Sequence, residues 1–80
     1  MNIIFTKQAI KYIEKLDKPT KQRIKYAINN LPFGDIKHLK GTKNTLFRLR
    51  VGDFRIIFEM TVENIIIQTI LPRGEAYKNI

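Results

Sequence analysis

The stretch from Thr45 to Glu59, TLFRLRVGDFRIIFE, leaves the chain little choice of fold. Apolar and polar residues alternate on both sides of Gly52-Asp53, a two-residue pair that can supply positive φ, and this pattern predicts a tight β-hairpin. With Gly52-Asp53 as the loop, Val51 pairs with Phe54, Arg50 with Arg55, Leu49 with Ile56 and Arg48 with Ile57. One face then carries Phe47, Leu49, Val51, Phe54, Ile56 and Phe58. The other carries Arg48, Arg50, Arg55 and Glu59, because side chains along a strand alternate between faces. The first face builds a core. The second sets Arg50 directly across from Arg55, a like-charge pair that costs up to about 1 kcal/mol relative to a neutral one. Stability alone does not select that arrangement, which points to an anionic ligand.

The flanking sequence supplies what the hairpin packs against. Asn2 to Phe5 (NIIF) reads as a first strand, and Thr6 can cap a helix from Lys7 to Leu16 with Ile10, Ile13 and Leu16 on its apolar side. Asp17-Lys18-Pro19-Thr20 ends that helix and starts another, since proline is tolerated in a first turn. Ile24, Ala27, Ile28 and Leu31 mark its buried stripe, and Pro32-Phe33-Gly34 stops it. Gly34 to Asn44 is polar and carries Lys37, Lys40 and Lys43, so it reads as a loop with a basic edge. Ile65 to Leu71 (IIIQTIL) is near-continuously apolar, as a central strand is. The expected register pairs Phe58 with Ile67 and Ile56 with Thr69, leaving Ile57, Ile66 and Ile70 on the arginine face. Pro72 and Gly74 then take the chain out of the sheet near the hairpin turn, which brings Arg73 and Tyr77 toward Arg50 and Arg55.

Charge and composition narrow the function. Eighty residues are expected to form one domain, residues 1–80, with a formal charge of +8 from fifteen Lys and Arg against seven acids. A surface potential of that sign attracts nucleic acid or an acidic protein. There is no cysteine, which excludes disulfides and thiolate metal sites. The N-terminal apolar run is too short for a signal peptide, and nothing approaches the roughly 20 apolar residues of a membrane span. The expectation is a soluble cytoplasmic protein with no membrane attachment.

The side chains available limit the chemistry further. A guanidinium stays protonated and presents a planar fork of donors, so arginines hold phosphate and stabilise charge growing on it but make poor bases. An RNA substrate brings its own nucleophile, the 2′-hydroxyl. The lone histidine, His38, falls in the expected loop and reads as a surface residue, and no His and carboxylates stand at metal-ligand spacing. No cofactor or metal is expected.

Leu39-Lys40-Gly41, then LFRLRVGDFRIIFE, then ILPRGEAYK together resemble the RelE branch of the RelE/ParE superfamily of toxin–antitoxin toxins. The resemblance covers almost the whole chain. It implies an α+β fold of order β-α-α-β-β-β, with two antiparallel helices packed on one face of a small antiparallel-rich sheet. It implies a ribosome-dependent endoribonuclease, an mRNA interferase that cuts mRNA in the ribosomal A site without metal and leaves a cyclic phosphate and a 5′-hydroxyl. Carried over by position, Arg55 corresponds to the arginine that clamps the scissile phosphate, and Arg48 and Arg50 to two basic residues of the preceding strand. Arg73 matches a C-terminal basic residue that stabilises charge or the leaving group, and Tyr77 a tyrosine that orients the substrate or helps with its proton. Lys40 falls where a basic residue helps hold RNA, with Lys37, Lys43 and Lys78 as further RNA-binding candidates.

The implied partners are a cognate antitoxin, acidic where it wraps the toxin, together with the ribosome and mRNA. Operator DNA would be met only through the antitoxin. Two departures matter: some relatives use a Glu base with a C-terminal His acid, and no His lies near Tyr77 here, while arginines stand where others have strand lysines. The general base is left open. A ParE-like toxin, which inhibits DNA gyrase by binding and cuts nothing, is the alternative.

Overall fold

The computed structural model describes residues 2–39 and 45–72. In order these form β1 (Asn2–Phe5), α1 (Lys7–Glu14), α2 (Lys18–Asn29), β2 (Asp35–His38), β3 (Leu46–Val51), β4 (Phe54–Met60) and β5 (Asn64–Pro72). The strands make a five-stranded sheet in the order β1-β5-β4-β3-β2. All neighbours are antiparallel except β1, which lies parallel to β5. Among the described residues no helix is long and apolar enough to cross a membrane.

The two helices supply Ala9, Ile13, Ile24 and Ile28 to one cluster with Leu49, Ile56, Phe58, Ile65, Ile67 and Ile70 of the sheet. Both helices therefore cover the same sheet face, as the α+β reading expects. The stripe predicted for α2 packs inward, as do Ile13 and Leu16 of the first helix, but Ile10, expected on the apolar side of α1, is 44% exposed, because the buried line of that helix runs through Ala9 and Ile13. α1 is shorter than its periodicity suggests, since it closes at Glu14 and Leu16 follows in a turn through an N–H donated to the Ile13 carbonyl at 3.1 Å. At the head of α2 the Asp17 carbonyl accepts from the Lys21 N–H at 2.9 Å. The Asp17 carboxylate makes no capping hydrogen bond of good geometry. It still lies near enough to the Thr20 hydroxyl to be held below the usual carboxylate range.

The hairpin register is the expected one, with Val51 opposite Phe54 and Arg50 opposite Arg55. Gly52 sits at φ 58 while no non-glycine among the described residues has positive φ, which is the pattern of a II′ turn with glycine first. A Cβ at Gly52 would come within 2.9 Å of the Arg23 guanidinium, the movable end of a long side chain that reaches the hairpin tip from α2.

Two expectations fail on pairing. The polar segment from Gly34 is not wholly a loop: Asp35 to His38 forms β2, antiparallel to β3, and Lys37 therefore lies on a strand opposite Arg48. Only Ile36 of β2 packs toward the core, so no alternation marks it, and charged residues on an outer strand discourage pairing with other chains. Lys40 and Lys43 lie outside the described residues.

The second failure is the register of β5. Phe58 does face Ile67, but Ile57 faces Thr69 and Ile56 faces Ile70, because Gln68 is an extra residue in a β-bulge. The slip turns Ile70 into the core, where it is fully buried, instead of onto the arginine face. Ile57 and Ile66 remain on that face. The bulge is tied to α1. The Thr6 N–H donates to the Ile67 carbonyl at 3.1 Å, and the Thr6 hydroxyl donates to the Gln68 carbonyl at 2.7 Å. The same oxygen accepts from the Ala9 N–H at 3.2 Å as the N-cap of α1.

This geometry sets two expectations. Thr6→Val, which removes a cap and leaves the bulge carbonyl without its donor, should lower stability by about 1–2 kcal/mol, measured by urea denaturation. Ile70→Ala should cost about 2–5 kcal/mol as a buried truncation and Ile66→Ala clearly less; equal losses would mean the bulge is misplaced.

Candidate functional site

Residues directly opposite one another in a sheet share a face, so the pairings lay out the surface the helices leave uncovered. Nearest the hairpin tip a row runs Asp35, Arg50, Arg55, Leu71; the next runs Lys37, Arg48, Ile57, Thr69. A third runs Leu46, Glu59, Ile66 and Ile4 across to β1. Four cations therefore share the hairpin half of the face with one acid. The β1/β5 half adds Ile4 and Ile66, with Glu59, Thr69, Asn2 and Asn64 as its polar members beside the bulge.

The arginines are not equivalent. Arg48 is tied down: its Nη1 donates to the Asp35 carbonyl at 3.1 Å and to Asp35 Oδ1 at 3.3 Å, and its side chain is 13% exposed against 60% for the acid. An ion pair with one member so exposed contributes about 0.2–1 kcal/mol, so it orients Arg48 more than it stabilises the fold. Arg48 Nε is buried with no hydrogen-bond partner among the described residues. Arg55 is half-buried and makes only a long contact, 3.5 Å, to the Phe54 carbonyl. Arg50 is exposed. Among the described residues the sheet's ion pair is that of Arg48 with Asp35, and neither Arg50 nor Arg55 has a carboxylate partner. Neither charge is therefore neutralised among the described residues.

Arg48, Arg50, Arg55 and Lys37 thus come together on one face, as expected for three of them and through β2 for the fourth. Arg73, Tyr77, Lys40, Lys43 and Lys78 lie outside the described residues. Glu59 accepts from Thr45 Oγ1 at 2.9 Å and from Gln68 Nε2 at 3.4 Å. Sequence reasoning missed Asp35, which stood in the segment read as loop. It also missed Gln68 as the anchor of Glu59, although a long polar side chain amid IIIQTIL was a visible signal. His38 packs its ring edge against Phe47, 5.2 Å between centroids, and Tyr12 packs against Phe54 at 6.3 Å. Among the described residues no group of three or more His, Cys, Asp or Glu could hold a metal ion.

Residues 3–77 match the family described as the ParE toxin of the type II toxin–antitoxin system parDE. The chain is 33% identical to Toxin RelE3 of Methanocaldococcus jannaschii, with 96% of each chain covered. Its fold is similar to the toxin in the RelB–RelE antitoxin–toxin complex of Methanococcus jannaschii, with a TM-score of 0.77 at 28% identity, covering 96% of this chain and 98% of that one. It is also similar to the archaeal RelE–RelB complex of Pyrococcus horikoshii, with a TM-score of 0.79 at 28% identity over 94% and 97%. The intact Escherichia coli RelBE complex shares the fold, TM-score 0.69 over 92% and 96%, at 13% identity.

The contrast between the arginines can be measured on the free protein. Arg50→Leu removes one of two opposed charges and should raise the melting temperature in low salt, with the gain shrinking as salt screens the pair. Arg48→Ala, which also strips a packed stem from the sheet, should lower it. Thermal unfolding at low and high ionic strength checks both signs.

Proposed function

The chain belongs to the ParE toxin family of type II toxin–antitoxin systems, and from that premise we propose that it is a ribosome-dependent endoribonuclease cutting mRNA in the ribosomal A site. The observation that carries this reading is the Arg50–Arg55 pair, opposed on the uncovered sheet face without carboxylate partners among the described residues. Such a pair is unfavourable until a phosphate sits between the guanidinium groups. A phosphodiester is the anion of that kind an RNA strand presents, and a RelE-named relative supports the choice of RNA.

In the proposed reaction the substrate's 2′-oxygen attacks the adjacent phosphorus while the bond to the 5′-oxygen breaks, giving a 2′,3′-cyclic phosphate and a 5′-hydroxyl. The 2′-hydroxyl proton passes to a base and the departing 5′-oxygen takes one up. Arg55 holds a non-bridging oxygen of the scissile phosphate and stabilises the charge that grows there, Arg50 shares that charge, and Arg48, oriented by Asp35, steadies the neighbouring phosphate. Lys37 beside Arg48 extends the track for the strand, with Lys40, Lys43 and Lys78 as further contacts. Arg73 is proposed to stabilise the leaving group and Tyr77 to orient the substrate. No arginine serves as the base, since guanidinium keeps its proton. The chemistry proposed needs no metal.

The RelB–RelE complexes to which the fold is similar support a cognate antitoxin as partner in the cytoplasm. A +8 chain favours an antitoxin whose binding segment is acidic and folds on contact. Operator DNA is then reached only through the antitoxin. The ParE name of the matching family favours a second reading, inhibition of DNA gyrase by binding. The two differ in their need for a phosphate clamp, which a binding inhibitor does not require.

Arg55→Ala should reduce cleavage by about 10²–10³, the usual effect of losing one charge-stabilising donor, with the melting temperature little changed. Primer extension on message from cells expressing the wild type and the variant, with ribosome-free RNA as control, makes the check. Cuts confined to translated message and lost in the variant support the nuclease. Growth arrest with intact message and relaxed or broken DNA would transfer the reading to gyrase.

A further inference from the structure

The first helix carries its cations along one flank. Lys7, Lys11 and Lys15 are exposed and stand four residues apart, so they emerge from successive turns about 6 Å apart along the axis. No acid stands in the first turn, where Lys7 also meets the positive end of the helix dipole. None of the three has a carboxylate partner among the described residues. Glu14, the acid of α1, lines a different groove, with Lys21 and Lys25. Like charges four residues apart weaken a helix, and a merely solubilising surface mixes the two signs. The lysine ladder therefore repeats on α1 what the Arg50–Arg55 pair does on the sheet.

The ladder also has a concave shape and a neighbour. With Gln8 and Tyr12 the three lysines line an open groove of about 410 Å³. β1 pairs with β5 only as far as Ile67, and beyond that point the first turn of α1 takes the place of a neighbouring strand. Thr6 Oγ1 donates to the Gln68 carbonyl, and Gln8 Nε2 donates to Thr69 Oγ1 at 3.0 Å. Thr69 ends the row that runs Lys37, Arg48, Ile57 across the sheet. Gln8 thus belongs to both surfaces. The path from Arg48 through Ile57, Thr69 and Gln8 to Lys7 meets no carboxylate.

Building on the nuclease reading, we infer that the α1 groove holds the message strand beyond the scissile phosphate, with Lys7, Lys11 and Lys15 on its backbone. A single strand bends at each nucleotide and can turn over the edge of β5 from the sheet onto the helix, whereas a duplex is too stiff for a turn within one small domain. A cationic groove that tracks the backbone is how single strands are held without regard to sequence. Lysine suits that role as a compact charge on a flexible stem, while the planar fork of Arg55 suits one fixed phosphate. The groove supplies affinity and the sheet face supplies the chemistry.

The test measures binding of 2′-O-methyl oligouridylates, which lack the attacking hydroxyl, by fluorescence anisotropy over a range of salt. A short strand of about three nucleotides is compared with a long one of about nine. Three lysines should steepen the logarithmic salt dependence of the long strand by about 2, so that going from about 50 to about 200 mM salt weakens it about 20-fold more than the short one. The triple variant Lys7→Gln, Lys11→Gln, Lys15→Gln should erase that difference and, on translated message, raise KM with kcat little changed. The triple variant Lys18→Gln, Lys21→Gln, Lys25→Gln takes as much charge from α2 and should keep the difference. Equal losses from the two variants would mean that net charge alone acts and would overturn the inference. Wild-type binding of the long strand by the α1 variant, whatever that variant does to ribosome or antitoxin binding, also overturns it. Wild type that binds the long strand as expected but cuts no translated message would remove the nuclease reading and leave the groove standing as an RNA site.

Discussion

A single hydroxyl stands where the two layers of the structure meet. Thr6 Oγ1 accepts from the first turn of α1 and donates to the carbonyl of Gln68, while the Thr6 N–H holds the Ile67 carbonyl. The start of the helix and the irregularity of β5 are therefore one feature. The extra residue in a bulge loses its partner in the ladder, and here its carbonyl is satisfied from the next layer. Were that contact absent, the bulge would carry an uncompensated backbone group, and a regular register would exchange Ile70 for Thr69 in the core.

From the bulge follows the division of the sheet. On the helix side Phe58, Ile67 and Ile70 close the core. On the other side Gln68 reaches Glu59, with half-buried Ile66 opposite that acid and Ile57 buried at 2% exposure. A five-stranded sheet covered by helices on one face leaves the second face free to hold groups that stability does not favour. Core packing on one face offsets an opposed arginine pair on the other, and such local conflict marks functional sites more often than structural ones.

Charge on that face is graded. Arg48 is partly neutralised by Asp35 and held in place, whereas Arg50 and Arg55 meet no carboxylate among the described residues. An anion approaching the face meets the guanidinium groups near the hairpin tip first, and the carboxylate of Glu59 repels it from the far end.

The hairpin, its turn and its two faces were legible in the residues, because a two-residue loop with glycine and a period of two are local signals. Arg48, Arg50 and Arg55 were placed correctly for that reason, and the two helices likewise from their apolar spacing and breakers. β2 was not legible, since Asp35-Ile36-Lys37-His38 carries one apolar residue and joins the sheet through backbone hydrogen bonds that almost any side chain permits. Nor was the position of Ile70 readable: in a run as apolar as IIIQTIL the alternation that would reveal a bulge is missing, and only the hold of Thr6 on Gln68 chooses the register. The chain by itself thus determined which groups share the hairpin's cationic face; the tertiary structure alone decided what stands beside them, Asp35 against Arg48 and Gln68 against Glu59, because those contacts join strands whose pairing no local pattern encodes.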